Sequence, residues 1–303
     1  METNKQVVSG SNELEIMEFQ IGENAYGINV LKVKELVEAR PFTPIPLSHP
    51  FVMGVSELRG KVIPVINLVK VLGLQERKFD GVCKWIITEM NQMVVAFQVD
   101  TLKGIHRLTW EDIDTPSDTM QDDGGLIIGI VRKEGKIILL LDFEKILTEI
   151  NPNVGINETR TSKIEPKVAR SEKHILLAED SSFLIQLIQD SIKKSGYQKL
   201  TIKTNGKEMW DYIEEMVQNK GEAVFEEIDC LITDIEMPKM DGLHLTKRIK
   251  DHAILNRLPV VIFSSLITQD LRHKGESVGA DAQVSKPEIE ELVNILDSLL
   301  QVK

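Results

Sequence analysis

Cysteine is scarce in this chain: only Cys83 and Cys230 occur among its 303 residues. Each lies in an apolar, strand-like segment, and we expect the two in different domains. Free, buried thiols are therefore the predicted state, which is typical of a reducing cytoplasm, where disulfides are rare. The six histidines show no spacing that is typical of metal ligands.

The chain also lacks an excess of positive charge and a long apolar run. Its net charge is −11 and its pI is about 5.2. A nucleic-acid-binding surface needs clustered basic residues, so we expect no nucleic acid among the partners. No apolar run approaches the roughly 20 residues that span a bilayer. The first ten residues lack the pattern of a signal peptide, so we expect a cytoplasmic protein without direct membrane insertion.

A length of 303 residues predicts two domains. The first half consists of short segments rich in Val and Ile, separated by turn residues such as Gly60-Lys61. Strands are predicted over residues 14–20, 25–30, 61–67, 84–88, 93–99 and 136–142. Short strands at this spacing are typical of a small barrel or sandwich. Helices are predicted over residues 30–38 and near residues 143–149.

The composition changes after residue 150. Residues 151–172 contain few large apolar side chains and carry Pro, Gly, Asn, Thr and scattered charges. We predict a linker here, between a first domain (residues 1–150) and a second domain (residues 173–303). A long surface loop of the first domain is the alternative.

In the second half, apolar strands alternate with amphipathic helices. Strands are predicted over residues 174–178, 200–203, 229–233, 260–264 and 282–285. This alternation predicts an α/β, doubly wound, five-stranded parallel sheet with right-handed crossovers. Ligands of such sheets bind beyond the carboxyl ends of the strands, where the strand order reverses.

Polar side chains stand at the ends of four of these strands. They are Glu179-Asp180 after the first, Asp234 after the third, Ser264-Ser265 at the fourth and Lys286-Pro287 after the fifth. Alone, each has an ordinary explanation as a helix cap, a turn hydroxyl or a solvated lysine. Together they bring three carboxylates to one edge, where repulsion favours protonation or a bound cation. Mg²⁺ prefers such oxygen ligands, and Lys286 would offset the charge of a phosphoryl group.

This combination resembles the receiver domain of two-component response regulators, the CheY-like fold. The matching sequences are LLAEDSS, DIEMPKMDG, PVVIFSS and SKP, and the resemblance extends from about residue 173 to the end. It implies that a histidine kinase phosphorylates the carboxylate of Asp234, which acts as a nucleophile.

The resemblance also implies a Mg²⁺ cofactor. Asp180, Asp234 and the backbone carbonyl of Glu236 would bind it directly, and Glu179 would bind it through a water. Ser264 would hydrogen-bond the phosphoryl oxygens, Lys286 would pair with the phosphoryl group, and the peptide between Lys286 and Pro287 would be cis.

Two positions depart from the common receiver pattern. Glu179 stands where Asp is commoner, which lengthens one arm of the metal site. Gln283, three residues before Lys286, occupies a switch position that is often aromatic in receivers. We therefore do not expect rotation of a buried ring to report phosphorylation in this receiver.

The first half resembles a CheW-like domain, the scaffold that couples chemoreceptors to the CheA kinase. The matching sequences are EIMEFQIGENAYGINVLKVKEL and GVSELRGKVIPVINL, and the pattern covers about residues 14–150. Its markers occur in order: Gly22, Tyr26-Gly27-Ile28 and the Leu58-Arg59-Gly60 turn. The resemblance implies a pair of small five-stranded β-barrels packed together.

Two features of this half are candidate partner contacts. Residues 42–47 are apolar and stiffened by prolines, and they either close a barrel or present a contact ridge. Arg59 is either a solvated hairpin charge or an interface anchor, a role in which arginine is enriched. Because this turn lies near the partner surface in the family, residues 58–60, together with Ile45 and Pro46, are our candidate interface.

A CheW-like domain joined to a CheY-like receiver is the layout of CheV-type chemotaxis coupling proteins. It implies an adaptor that links methyl-accepting chemotaxis receptors to a CheA-type histidine kinase, at receptor arrays on the inner face of the membrane. Phosphorylation of Asp234 would modulate this coupling and so serve adaptation.

Two other functions are compatible with this layout. The receiver would act as a phosphate sink if it only drained phosphoryl groups from the kinase. An enzyme with an active site in the first domain is the other, but that half shows no nucleophile with a base, metal cluster or phosphate loop. We therefore expect no enzymatic activity beyond the receiver's own phosphoryl transfer and dephosphorylation.

Overall fold

The computed structural model describes residues 13–75, 79–90, 93–114, 116, 125–133, 135–151, 164–266 and 269–302. The chain divides into two units, one within residues 13–155 and the other within residues 156–303. None of the helices in the described ranges is long and apolar enough to cross a membrane.

The first unit is built mainly from short strands. In the described residues these are β1 (Glu13–Ile21), β2 (Asn24–Asn29), β3 (Val33–Glu38), β4 (Val52–Leu58), β5 (Lys61–Asn67), β6 (Lys84–Met90), β7 (Met93–Val99), β8 (Thr101–Thr109), β9 (Ile113–Asp114), β10 (Ile127–Lys133) and β11 (Lys136–Leu141). In the same described ranges, the helices α1 (Leu68–Val71) and α2 (Phe143–Ile150) accompany them.

These strands form two sheets, of order β8-β1-β2-β11-β10-β9 and β3-β6-β7-β5-β4. In the first sheet, the short 3-10 turn Trp110–Asp112 joins the edge strands β8 and β9. In the second sheet, the chain that leaves β3 pairs with β4 through Thr43 and Val55. Each sheet therefore curls back on itself. The predicted mainly β fold is confirmed, and the first sheet gains a sixth strand because the two-residue β9 pairs with β10.

Three aromatic rings join the two sheets. Phe19 of β1, Phe97 of β7 and Phe143 of α2 are fully buried. The Phe143 ring centroid lies 4.8 Å from that of Phe97 and 6.3 Å from that of Phe19, both in edge-on geometry. Each such pair contributes about 1 kcal/mol beyond area burial. The Phe143 ring of α2 therefore packs against both sheets.

The predicted helix over residues 30–38 is wrong. Only Val30–Lys32 forms a 3-10 turn, and Val33–Glu38 is strand β3, in which half-buried and exposed residues alternate. Val33, Leu36 and Val37 are also spaced as on one face of a helix, so the local pattern fits both structures. The antiparallel ladder with β6 favours the strand.

The second unit alternates strands and helices. Its strands are β12 (His174–Ala178), β13 (Lys199–Lys203), β14 (Cys230–Thr233), β15 (Val260–Ser264) and β16 (Ala282–Ser285). Its helices are α3 (Ser182–Lys194), α4 (Gly206–Lys220), α5 (Gly242–Asp251), α6 (Gln269–Ser277) and α7 (Ile289–Leu299). All neighbours in the order β13-β12-β14-β15-β16 are parallel. The predicted doubly wound fold is confirmed, and the order reverses beside β12.

Local sequence signals set the helix ends in this unit. The side chains of Ser181, Asn205 and Asp241 cap α3, α4 and α5 by accepting a hydrogen bond from a backbone N–H of the first turn. Such caps satisfy N–H groups that have no partner within the helix. Helices α3 and α7 cover one face of the sheet, and α4 and α5 cover the other.

Both cysteines are free and lie in different units. Cys230 is buried within β14, and burial raises the pKa of its thiol. Cys83, which precedes β6, is half-buried rather than buried.

A buried ion pair attaches the segment before β12 to the last helix. The Arg170 guanidinium is 3% exposed and donates to both carboxylate oxygens of Asp297 in α7, each at 2.8 Å. Lys167 and the Tyr197 hydroxyl donate to the same carboxylate at 2.7 and 2.9 Å. Residues 152–163 of the predicted linker lie outside the described residues. The last part of the linker, which contains Lys167 and Arg170, lies against the second unit. The exact limits of the linker stay a prediction.

Removing the charge of Asp297 should destabilise the second unit in a pH-dependent way. Burial alone would raise the pKa of Asp297, but hydrogen bonds from Arg170, Lys167 and Tyr197 outweigh it and lower the pKa to about 2. Because this pKa lies below the unfolded value of 3.8, the carboxylate stabilises the fold above about pH 4. The ionised Asp297 carboxylate contributes about 2 kcal/mol to the free energy of unfolding, and this contribution is lost as the pH falls towards 2.

We therefore expect Asp297→Asn to lower the free energy of unfolding by about 2 kcal/mol at pH 7, and by less at pH 3. Urea unfolding followed at amide signals of the second unit measures both values. The control is Asp251→Asn, which breaks only an exposed pair with Lys247 and should change stability by less than about 0.5 kcal/mol. Equal losses in the two variants would contradict the role of Asp297.

Candidate functional site

The carboxyl edge of the parallel sheet gathers the polar residues that the sequence places at strand ends. Glu179 and Asp180 follow β12, Asp234 follows β14, Ser264 ends β15 and Lys286 follows β16. Strands β14 and β15 are buried along their whole length, so their first polar side chains come where the strands end.

The centre of this site is the ammonium group of Lys286. It lies 2.8 Å from Asp234 Oδ2 and 2.8 Å from Glu179 Oε2. All three side chains are at most 6% exposed. One buried cation therefore lies between two buried carboxylates and offsets the repulsion that they would otherwise have in a poorly solvated place.

Backbone groups fix the other oxygens of these carboxylates. Asp234 Oδ1 accepts a hydrogen bond from the N–H of Ile235 at 2.6 Å, and Glu179 Oε1 accepts one from the N–H of Ser181 at 3.2 Å. The N–H of Asp234 donates to the carbonyl of Ala178 in β12 at 3.0 Å. Each carboxylate thus keeps one oxygen on the backbone and turns the other towards Lys286.

Glu179, Asp180 and Asp234 form an acidic cluster whose ligand oxygens lie within 4.8 Å of one another. Glu179 and Asp234 are buried, whereas Asp180 is exposed and opens the cluster to solvent. Three carboxylates with an open side suit a hard divalent cation that keeps some of its water. Glu236 is half-buried and lies two residues after Asp234, so the use of its carbonyl as a ligand stays a prediction.

Ser264 and Pro287 flank this cluster. Ser264 is buried, its Oγ accepts a hydrogen bond from the N–H of Leu266 at 3.3 Å, and its carbonyl accepts one from the N–H of Lys286 at 3.0 Å. The peptide between Lys286 and Pro287 is cis. These contacts tie the end of β15 to the residue that carries the ammonium group.

Gln283 makes its described contacts with α6. Its Nε2 donates to the carbonyl of Arg272 at 2.8 Å. A Cβ at position 275 would lie 2.3 Å from Gln283 Oε1, so Gly275 leaves the space that this side chain fills. The side chain of Gln283, a residue of β16, thus packs against α6.

The sequence analysis missed the roles of Asp241 and Gly242, the last two residues of DIEMPKMDG. Asp241 caps α5 by accepting a hydrogen bond from the N–H of His244 at 2.7 Å, and burial raises the pKa of its carboxyl. A Cβ at position 242 would lie 1.8 Å from the carbonyl oxygen of Asp234, so only glycine fits there. An Asp-Gly pair directly before a helical pattern was the available signal.

The predicted contact residues of the first unit fall into two groups. Arg59 and Gly60 form the turn between β4 and β5 with left-handed backbones, at φ 50° and 77°. The Arg59 side chain is 79% exposed and pairs with Glu35 at 2.7 Å. Leu58 is buried in the core of the second sheet, so it supports this turn and is not presented to a partner.

The second group is an apolar ridge formed by Ile45, Pro46 and Leu47, all exposed. Leu47, which the sequence analysis did not single out, is fully exposed and has φ 59°, an unusual backbone for leucine. Beside the ridge lies a groove of about 270 Å³ with mainly apolar walls from the second sheet and α2. Thr43 closes the sheet just before it, so the segment both closes a barrel and presents a ridge.

Comparisons with known families agree with the division into two units. Residues 15–151 match the CheW-like domain, and residues 175–297 match the response regulator receiver domain.

Individual relatives match either most of the chain or about half of it. The chemotaxis protein CheV3 of Helicobacter pylori is 27% identical over 301 residues, which is 95% of each chain. The chemotaxis protein CheW of Thermotoga maritima is 33% identical over 154 residues, 50% of this chain and 99% of that one. The crystal structure of the scaffolding protein TtCheW from Thermoanaerobacter tengcongensis is 28% identical and covers 43% of this chain and 84% of its own, with a TM-score of 0.41.

Replacing Lys286 tests whether the carboxylate cluster requires a cation for stability. Lys286→Met removes the ammonium group that contacts both buried carboxylates, Glu179 and Asp234, which should lower the free energy of unfolding by about 3–5 kcal/mol. Mg²⁺ should recover part of this loss, because it takes over the neutralisation of the same oxygens. Urea unfolding of the second unit with and without Mg²⁺ measures the effect.

The matched control is Lys247→Met, since Lys247 makes only an exposed pair with Asp251. We expect this variant to lose less than about 0.5 kcal/mol and to respond to Mg²⁺ as the unaltered protein does. The cation site is refuted if Mg²⁺ stabilises Lys286→Met no more than it stabilises the control.

Proposed function

The chain belongs to the CheW family and also carries a response regulator receiver domain, the layout of the CheV proteins. From this premise we propose that it couples chemoreceptors to a CheA-type histidine kinase, and that phosphorylation of Asp234 changes this coupling. The partners would be methyl-accepting chemotaxis receptors and the kinase, met at receptor arrays on the inner face of the membrane.

The observation that carries the proposal is the pair of contacts at Lys286. An aspartate at the end of the central strand, 2.8 Å from a buried ammonium and next to two further carboxylates, is arranged to accept a phosphoryl group. The ammonium offsets negative charge on the transferring oxygens, and the fixed backbone donors cost no reorganisation during the reaction.

The reaction itself is a transfer between two side chains. A carboxylate oxygen of Asp234 attacks the phosphorus of the kinase phosphohistidine and forms a P–O bond. The P–N bond breaks, and its electron pair stays on the imidazole nitrogen, which takes a proton from solvent. A Mg²⁺ bound by Asp180, Asp234 and the Glu236 carbonyl, with Glu179 reaching it through a water, would supply further positive charge for the phosphoryl oxygens.

Other residues of this chain adjust to the new group. Lys286 exchanges its contact with Asp234 for one with the phosphoryl oxygens, and the Ser264 hydroxyl donates to them. The resulting acyl phosphate is labile, so the change is temporary. Because the Ser264 hydroxyl also accepts a hydrogen bond from the N–H of Leu266, its movement would shift the backbone at Leu266.

In the first unit, the exposed guanidinium of Arg59 and the ridge of Ile45, Pro46 and Leu47 are the proposed contacts with the receptor and the kinase. An exposed arginine and an apolar ridge beside a groove provide the kinds of side chain that anchor interfaces. We propose these residues for adaptor binding and the second unit for its regulation.

The proposal is tested by measuring the affinity of the full chain for receptor and kinase fragments, with and without beryllofluoride, which mimics the phosphoryl group on Asp234. We expect affinity for one fragment to change at least about fivefold, since coupling free energies between sites are about 1–3 kcal/mol. Asp234→Asn, which keeps the shape of the side chain, should bind both fragments and show no response to beryllofluoride.

An unchanged affinity would contradict the proposal. If it came with rapid dephosphorylation of Asp234, the phosphate sink would be the better account, because a sink requires turnover and no change in adaptor binding.

A further inference from the structure

We propose that Thr233 is a positioning residue for Asp234: its hydroxyl orients the peptide that holds the acceptor carboxylate. The inference rests on the proposed phosphorylation of Asp234. It assigns part of the rate of phosphoryl transfer to a side chain that touches neither the phosphoryl group nor a metal.

Asp234 lies just beyond the regular ladder. The pairing of β14 ends at Thr233, which stands opposite Ala178 of β12 and Ile262 of β15. The N–H of Asp234 still donates to Ala178. Its carbonyl is past the last ladder pair and sits in a buried region, where a carbonyl without a donor costs about 1–3 kcal/mol.

Thr233 supplies that donor. Its side chain is completely buried, and Oγ1 donates to the carbonyl of Asp234 at 2.9 Å. The first residue of α5 crowds the same oxygen, because a Cβ at position 242 would lie 1.8 Å from it and 2.9 Å from Thr233 Oγ1. The Asp234 carbonyl oxygen therefore accepts a hydrogen bond from Thr233 and leaves no room for a side chain at position 242.

This carbonyl controls the acceptor side chain through the planar peptide bond. The carbonyl of Asp234 and the N–H of Ile235 belong to one rigid plane. That N–H donates to Asp234 Oδ1 at 2.6 Å, which leaves Oδ2 facing Lys286 at 2.8 Å. Fixing the carbonyl thus fixes the N–H, the N–H fixes Oδ1, and Oδ1 sets the direction of Oδ2.

Thr233→Val removes the hydroxyl and keeps the shape of the side chain. We expect the Asp234–Ile235 peptide to sample more orientations, so the carboxylate spends less time aligned for attack. The groups that would meet the phosphodonor, Lys286 and Ser264, are untouched. The rate of transfer should fall while binding of the donor stays the same.

Thr246 provides a matched control. It is also completely buried, and its hydroxyl donates to the carbonyl of Gly242 at 2.6 Å, within helix α5. Thr246→Val also loses a hydrogen bond from a buried hydroxyl to a backbone carbonyl, but that carbonyl belongs to α5 and not to the acceptor peptide. A merely structural role for Thr233 predicts that both valine variants behave alike.

The experiment uses the full chain with Mg²⁺ and acetyl phosphate, and follows phosphorylation under single-turnover conditions as a function of donor concentration. For Thr233→Val we expect the limiting rate constant to fall about tenfold, with the half-saturating donor concentration unchanged. Thr233→Ser, which restores the hydroxyl, should recover most of the rate. Thr246→Val should react as the unaltered protein does, with a comparable loss of stability.

The inference is overturned if Thr233→Val keeps the full rate, if Thr246→Val loses as much, or if Thr233→Ser gives no recovery. Failure of the proposed function has a different signature. In that case the unaltered protein itself acquires no phosphoryl group at Asp234, as mass spectrometry with Asp234→Asn as the blank would show.

Discussion

The contact of one buried lysine with two buried carboxylates is the interaction on which the second unit depends. Lys286 meets Asp234 and Glu179 at 2.8 Å, although 52 and 107 residues separate it from them. Removing charges from water is costly, and only close partners with further hydrogen bonds repay that cost. The parallel order of β12, β14 and β16 brings the three groups to one edge, so the fold holds the Asp234 carboxylate buried, oriented by the backbone and in contact with a cation.

Much of this arrangement could be predicted from the sequence, because it depends on local patterns: apolar strands that are each followed by polar residues. Strands β12, β15 and β16 have the predicted bounds, and the polar residues that follow apolar strands mark the site without any knowledge of contacts. Residues 30–38 were ambiguous, since Val33, Leu36 and Val37 suit either structure until β6 pairs with them. The close approach of Gly242 to the Asp234 carbonyl depends on where α5 packs, and the pairing of Arg170 with Asp297 joins residues 127 apart. No local pattern contains such information.

The two units differ in whether their candidate functional side chains are buried or exposed. In the second unit Glu179, Asp234 and Lys286 are buried and hydrogen-bonded to one another or to the backbone, as the bond from the N–H of Ile235 to Asp234 illustrates. In the first unit the distinctive side chains are outside: Arg59 on a strained turn and Leu47 on an exposed ridge. Gln283 fills the space that Gly275 leaves and donates to the carbonyl of Arg272, so this side chain links β16 to α6.

The central claim is that the phosphorylation state of Asp234 sets the strength of coupling in a working array. Reconstituted arrays of receptor, kinase and this protein test it by recording kinase activity after a step of attractant. With the unaltered protein, kinase activity should drift back towards its starting value as Asp234 changes its phosphorylation state. With Asp234→Asn the arrays should still form and respond, but the recovery should be slower or incomplete. Equal recovery with both proteins would contradict the account.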